Sequence, residues 1–221
     1  MKQTEKKKQK RLFSPDSGLM YFLTKTGWII ILNVIFLITC IPIFTIGTSV
    51  TSLYYAMMKS VRKDRSYPVK EYFASFKRTF KTGSMFTIAA ILWLLLLNHL
   101  RMVNLSMGTE NVAFLNRVYV AVMAVTVAVL LYLFPILSRF TMKPGLMVRL
   151  AFVMAVRFIG YTVILLGGSV ALFYIWFYYL PVPMILFLPG AICFCSTFLM
   201  ERALRAYMPV SEIAEDAWYA Q

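Results

Sequence analysis

Long stretches without a charged residue dominate the chain, and short basic segments separate them. There are four such stretches, at 26–58, 82–100, 118–138 and 158–200. A helix needs about 20 residues to cross the ~30 Å hydrocarbon core of a bilayer. The second and third stretches therefore each have the length of one membrane crossing.

The last stretch is too long for a single crossing. Pro181 and Pro183 lie near its middle, and proline removes a backbone donor and disfavours helix in the preceding residue. We therefore expect two membrane segments there, at about 158–180 and 184–200.

The first stretch, 26–58, also contains a break. Pro42 and Gly47 stand five residues apart, a spacing that favours a turn. The sequence thus predicts segments at 26–41 and 45–58. The second of these is short for a crossing. It either spans with a tilt, enters and leaves on the same side, or runs on past Met58 with the Lys59 and Arg62 side chains reaching back to the interface.

The basic residues decide between one and two crossings in the first stretch, since cytoplasmic loops collect lysine and arginine. With two crossings, only Arg101 and Arg117 of the 23 basic residues fall outside; with one crossing the asymmetry is much weaker. The sequence predicts three in–out–in hairpins with both termini in the cytoplasm. A cleaved signal peptide is the competing interpretation of the first segment, but its basic region would be unusually long.

Composition agrees with this architecture. The chain is 60% apolar and 14% charged, against roughly 45–50% and 25% for soluble domains. Its net charge of +14 lies outside the apolar segments, which indicates contact with the anionic inner leaflet rather than with nucleic acid. We predict an all-α, polytopic membrane bundle at 26–200, with a basic cytoplasmic tail at 1–25 and a cytoplasmic tail at 201–221.

The cytoplasmic segment 69–80 has its own pattern. Five apolar side chains recur at helical spacing and basic residues take the opposite side. A helix of this kind fits the inner membrane interface, and a docking helix for a cytoplasmic partner has the same pattern. The predicted interface residues are Val69, Tyr72, Phe73, Phe76 and Phe80.

Side chains that carry catalysis are sparse. None of the nine acidic residues falls in the middle of a predicted membrane segment, and the one histidine, His99, stands at a segment end. No phosphate-binding loop and no nucleophile-elbow motif occurs. The three cysteines fall in apolar runs and are interpreted as buried thiols. We therefore expect no enzyme activity, no metal and no cofactor.

The strongest polar candidates lie in the first hairpin: Asn33, Pro42, Thr45 and Gly47. One interpretation is a small binding pocket beside a broken helix. The other, which we favour, is structural: Thr48 or Ser49 caps the next helix, Gly47 supplies the turn, and Asn33 bonds a neighbouring helix.

Several short motifs resemble the YesL-like family of bacterial membrane proteins. They are SPDSGLM at 14–20, LN at 32–33, CIPIFTIG at 40–47, LYY at 53–55 and SFKRTFK at 75–81. One departure is Thr79, where the family pattern leads us to expect asparagine.

The resemblance implies a bacterial plasma-membrane protein without an established biochemical activity. Members are often encoded beside carbohydrate uptake systems, which implies an accessory or regulatory role in such uptake, with a carbohydrate transporter or another membrane complex as partner. The alternative is a pore or permease subunit. It rests on the proline-broken first hairpin and on a weak internal repeat, in which Leu53-Tyr54 and Ser60 match Leu131-Tyr132 and Ser138.

Overall fold

The computed structural model describes residues 18–62, 66–107, 112–140, 142–179 and 188–205. Over these ranges the chain is almost entirely helical and has no strand, so the predicted all-α class is confirmed. The α-helices in chain order are α1 Gly18–Thr39, α2 Ile46–Ala56, α3 Pro68–Met107, α4 Val112–Arg139, α5 Pro144–Arg157, α6 Ile159–Tyr179 and α7 Leu188–Arg205.

The short helix α2 occupies the centre of the bundle. A 3-10 turn at Ile43–Thr45 leads into it, and a π-helical turn at Met57–Arg62 continues it. From Gly47 to Val61 every residue except Val50 is buried. Helices α1, α3, α4 and α7 all contact it, so the segment predicted to be the weakest membrane crossing is the core of the fold.

Helices α2 and α3 pack closely because each presents a row of mostly small residues at every fourth position. We call these rows the small-residue stripes. They are Thr48, Ser52 and Ala56 on α2 with Ser60 on the π-helical turn that continues it, and Ser75, Thr79, Gly83 and Thr87 on α3, all buried. Residues four apart share one helix face, and small side chains let two backbones approach. A Cβ added at Gly83 would lie 2.6 Å from Thr48 Oγ1 and 3.0 Å from Thr48 Cα.

Helix α3 is 40 residues long, or about 60 Å at 1.5 Å per residue. It joins the amphipathic segment 69–80 to the stretch 82–100, which the sequence analysis treats as two elements. That boundary is wrong, because no proline interrupts the pattern and Gly83 stays helical where it packs on Thr48.

The turn of the first hairpin lies beside the middle of α3. Gly47 donates its backbone N–H to Thr87 Oγ1 at 3.0 Å, and the rings of Phe44 and Phe80 meet edge to face at 6.5 Å. Beyond Thr87, α3 runs on for about 20 residues to Met107, roughly 30 Å. Measured along α3, the first hairpin therefore ends about 30 Å short of the end of the second, and the in–out–in arrangement stays a prediction.

The extension beyond that level forms a two-helix arm from residues 88–107 of α3 and 112–131 of α4. Its apolar side chains are largely exposed, with Leu92 at 62% and Phe114 at 61%. Near its tip the helices are joined by Arg101, whose Nε donates to Asn116 Oδ1 at 2.7 Å. An exposed apolar surface of this height matches the hydrocarbon thickness of a bilayer.

By length and composition, α3 and α4 can each cross a membrane. A third candidate is the pair formed by α5 and the first part of α6, whose axes meet at 89°. Two or three helices suited to a bilayer support the expected membrane protein. The predicted segments 118–138, 158–180 and 184–200 fall largely on α4, α6 and α7, whereas the break at Pro181 and Pro183 lies outside the described residues.

The terminal tails begin and end differently from the prediction. Residues 18–25 belong to α1 and residues 201–205 to α7, because the helical pattern continues past the charged residues Lys25 and Glu201. The remainder of both tails, 1–17 and 206–221, lies outside the described part of the chain.

Candidate functional site

The turn after α1 holds a set of bonded hydroxyl groups. Thr45 Oγ1 donates to the carbonyl oxygens of Thr39 and Pro42, both at 2.6 Å, and Ser49 Oγ donates to the same Thr39 carbonyl at 3.2 Å. The Thr39 hydroxyl in turn meets the hydroxyl of Tyr72 at 2.6 Å. The last carbonyls of a helix have no partner within it, so these hydroxyls close the end of α1 and tie it to α3.

The four polar candidates of the first hairpin have different surroundings. Asn33 is fully buried where α1 meets α7, since a Cβ at Gly190 would lie 3.2 Å from Asn33 Cβ. Thr45 is buried in the turn, whereas Pro42 is exposed. Gly47 lies inside α2 and faces Thr87.

Two details of the structural interpretation are wrong. Thr45 is the N-cap of α2 and makes no side-chain cap bond, while Thr48 lies within the helix and contacts Phe80 O and Ser84 Oγ on α3. Gly47 does not form a turn; an added Cβ there would overlap Thr87 Oγ1 and the ring of Phe134. Glycine is needed there because three helices converge.

The aromatic face predicted for the membrane interface is divided. Tyr72 is fully buried and stacks on Phe76 with 6.3 Å between ring centroids; both pack in the core of α1, α2 and α3. Phe73 and Phe80 are 50% and 39% exposed, and Val69 is half-buried. The outward members remain predicted interface residues.

A shielded ion pair joins the far end of α2 to the first turn of α3. Lys59 Nζ lies 3.1 Å from Glu71 Oε2 and donates to the Tyr55 hydroxyl at 3.3 Å, while Ser66 Oγ donates to Glu71 Oε1 at 2.7 Å. Burial raises the pKa of Glu71, but the hydrogen bonds from Ser66 and Lys59 outweigh it and hold this pKa below its ordinary value. The carboxylate therefore stays charged and paired at neutral pH.

Two arginines bind backbone carbonyls of distant helices. Arg78 Nη2 donates to Ser138 O at 3.1 Å, in the last turn of α4, where a cation is favoured by the helix dipole. Arg62 Nη1 donates to Thr197 O in α7 at 3.0 Å. Sequence reasoning treats both only as cytoplasmic charges, because partners 60 and 135 residues away leave no local pattern.

Groups suited to metal or redox chemistry do not converge in the described part of the chain. It holds no cluster of three histidine, cysteine or acidic side chains. His99 is exposed, Cys40 and Cys193 are half-buried, and Cys195 is exposed. The polar contacts at both ends of α2 bind helices to one another.

Comparison with known proteins gives one match. Residues 29–99 match the model of a family described as a protein of unknown function, DUF624. That segment contains α2, both small-residue stripes and all the quoted motifs except the one at 14–20. No curated protein and no solved structure matches the chain. The match confirms the resemblance stated from the motifs over residues 29–99, where this protein is similar to DUF624, a family of unknown function.

Proposed function

We propose that the protein is a non-catalytic component of the bacterial plasma membrane that assists or regulates a carbohydrate uptake complex. The observation that carries the proposal is the two-helix arm, which presents apolar side chains outward over about one bilayer thickness. Leu92, Leu95 and Met102 on α3 are 58–62% exposed. A surface of this kind can contact both lipid and the helices of a membrane partner.

The polar side chains of the core support a scaffold rather than an active centre. Thr51 and Ser52 donate to carbonyls four residues earlier in α2. Lys59 and Arg78 hold α2, α3 and α4 together. In this role the chain fixes the position of its arm, while the chemistry of uptake belongs to the partner complex.

The offset hairpins favour one membrane arrangement. With the basic segments 59–81 and 139–157 in the cytoplasm, the arm crosses the bilayer and its tip lies outside. The turn at 40–45 then reaches only part of the way through the bilayer, so the first hairpin is re-entrant and begins and ends on the cytoplasmic side. Both termini remain cytoplasmic in this arrangement.

Cysteine labelling tests this topology. In a variant without native cysteines, Met107→Cys at the arm tip is expected to react with an impermeant thiol reagent in intact cells, and Ile43→Cys is not. Both side chains are well exposed, at 70% and 65%, so access across the membrane decides the result. Equal labelling in intact cells would restore the arrangement in which both turns face outside.

Site-specific photo-crosslinking tests the proposed role. A photoreactive residue at Leu95, which is 59% exposed, is compared with one at Leu97, which is 7% exposed. In native membranes from cells grown on an inducing carbohydrate, we expect the photoreactive residue at position 95 to form an adduct with a transporter or sensor subunit, and the one at position 97 to form none. Adducts with lipid alone, or recovery of the protein without any partner, would contradict the proposal.

A pore or permease subunit is the second candidate, and the buried hydroxyl-bearing α2 is the observation in its favour. An apolar cavity of about 480 Å³ borders this helix. The residues that α2 contributes to its lining are Val50, Leu53 and Tyr54, and none of them is a serine or threonine. Liposomes containing only this protein distinguish the two roles. Carbohydrate flux into them would favour the permease, whereas a sealed membrane supports the accessory role.

A further inference from the structure

A cavity lies between the start of α1, the π-helical turn and the start of α3. Its volume is about 380 Å³. The residues that line it are Tyr21, Thr24, Lys25, Trp28, Ser60, Val61, Ser66, Tyr67 and Pro68. Hydroxyl groups, one lysine and three aromatic rings thus surround a space large enough for a small polar group.

Ser60 marks this cavity as incomplete without a ligand. The residue is 4% exposed, and its Oγ finds no hydrogen-bond partner among the described residues. A buried hydroxyl without a partner loses its hydrogen bonds to water without replacement, so native structures rarely retain one without a reason. A ligand atom in the cavity would supply the missing bond.

The electrostatics of the cavity favour an anion. The first turn of α3 begins at its edge, where the amides of Val69 and Lys70 have no partner within the helix and the helix dipole is positive. Lys25 adds a cation, with Nζ 4.3 Å from the centre of the Tyr21 ring. Among the described residues, the acid beside the cavity is Glu71, and it is already paired with Lys59.

We propose that this cavity binds the phosphate of an anionic phospholipid from the inner leaflet. Lys25, the Ser60 hydroxyl and the α3 amides hold the phosphate. The tyrosines and Trp28 are ring types typical of the headgroup level. The acyl chains follow α1, whose Leu23, Ile30 and Ile31 are 51%, 40% and 43% exposed. The lipid fixes the angle between α1 and α3.

Native mass spectrometry of the full chain in detergent tests this site. The protein is titrated with phosphatidylglycerol, with phosphatidylcholine of the same chains, and with inorganic phosphate. We expect one phosphatidylglycerol to bind most tightly. Lys25→Gln is expected to weaken that first event roughly tenfold, as loss of a charge-assisted bond does. Lys77→Gln, whose exposed side chain does not line the cavity, is the matched control.

Ser60→Ala separates ligand binding from a structural role. Removing an unbonded hydroxyl is expected to leave the melting temperature without lipid unchanged or higher, and to weaken phosphatidylglycerol binding several-fold. A lower melting temperature without lipid would show that Ser60 serves the fold and would overturn the assignment. Three further results would do the same: equal binding of phosphatidylcholine, equal losses for Lys25→Gln and Lys77→Gln, or inorganic phosphate binding as tightly as the lipid.

Discussion

The close contact between α2 and α3 gives the most direct test of the fold. Substituting Gly83→Ala places a Cβ 2.6 Å from Thr48 Oγ1, 3.0 Å from Thr48 Cα and 3.1 Å from Thr48 N. The hydroxyl can rotate away, but the two backbone atoms cannot move unless the helices separate. The substitution therefore acts on the packing of α2, the most deeply buried element.

Two opposing effects set the magnitude. Alanine is favoured over glycine inside a helix by roughly 0.5–1 kcal/mol, whereas forcing an extra carbon into a packed interface costs about 1–3 kcal/mol. The second effect is the larger one here, so we expect Gly83→Ala to lower the free energy of unfolding by about 1–2 kcal/mol. Adding Thr48→Ala, which removes the nearest atom, is expected to recover part of this loss.

Gly27→Ala provides the matched control. It makes the same chemical change inside α1, where an added Cβ has no heavy atom within 4 Å, so only the helix preference acts and stability is unchanged or raised. Unfolding of the purified proteins in detergent by sodium dodecyl sulfate, followed by circular dichroism, measures both changes. Equal stability of Gly83→Ala and Gly27→Ala would refute the close approach of α2 and α3.

Two further predictions concern the polar contacts at the far end of α2. Glu71→Gln leaves the charge of Lys59 shielded without its partner, and we expect it to lower the free energy of unfolding by about 1–3 kcal/mol. Because the pKa of Glu71 is lowered in the folded state, the stabilisation by the native carboxylate is present above the unfolded pKa of about 4.3 and is lost as pH falls through the folded pKa. The unfolding curves of the native protein and the variant should therefore converge in acid. Arg78→Ala removes the bond to the Ser138 carbonyl and should lower the free energy of unfolding by roughly 1–2 kcal/mol. Lys77 is an exposed neighbour, so Lys77→Ala should change it by less than about 0.5 kcal/mol. Equal effects of the two substitutions would contradict a capping role for Arg78.

The sequence by itself determined the helical class, the apolar segments and the resemblance to a family over residues 29–99. Charge-free runs and prolines are local features; they locate the helical segments but misplace their ends where a helix continues past a charged residue, as at Lys25, Arg117 and Glu201. They fail at 69–81, because an amphipathic segment and an apolar membrane segment can belong to one continuous helix. A change in side-chain pattern does not require a break in the backbone.

Tertiary structure alone decided what the polar residues of the first hairpin do. From the sequence we expect Gly47 to bend the chain and Thr48 or Ser49 to cap a helix. Instead, Gly47 lies against α3 and α4, and Thr48 lies against α3. It gives no sign that Arg62 would bind α7 or that the first hairpin would end beside Thr87. These contacts join residues 40 or more positions apart. They follow from how closely small side chains let two helices approach, a property of both surfaces together that neither segment carries alone.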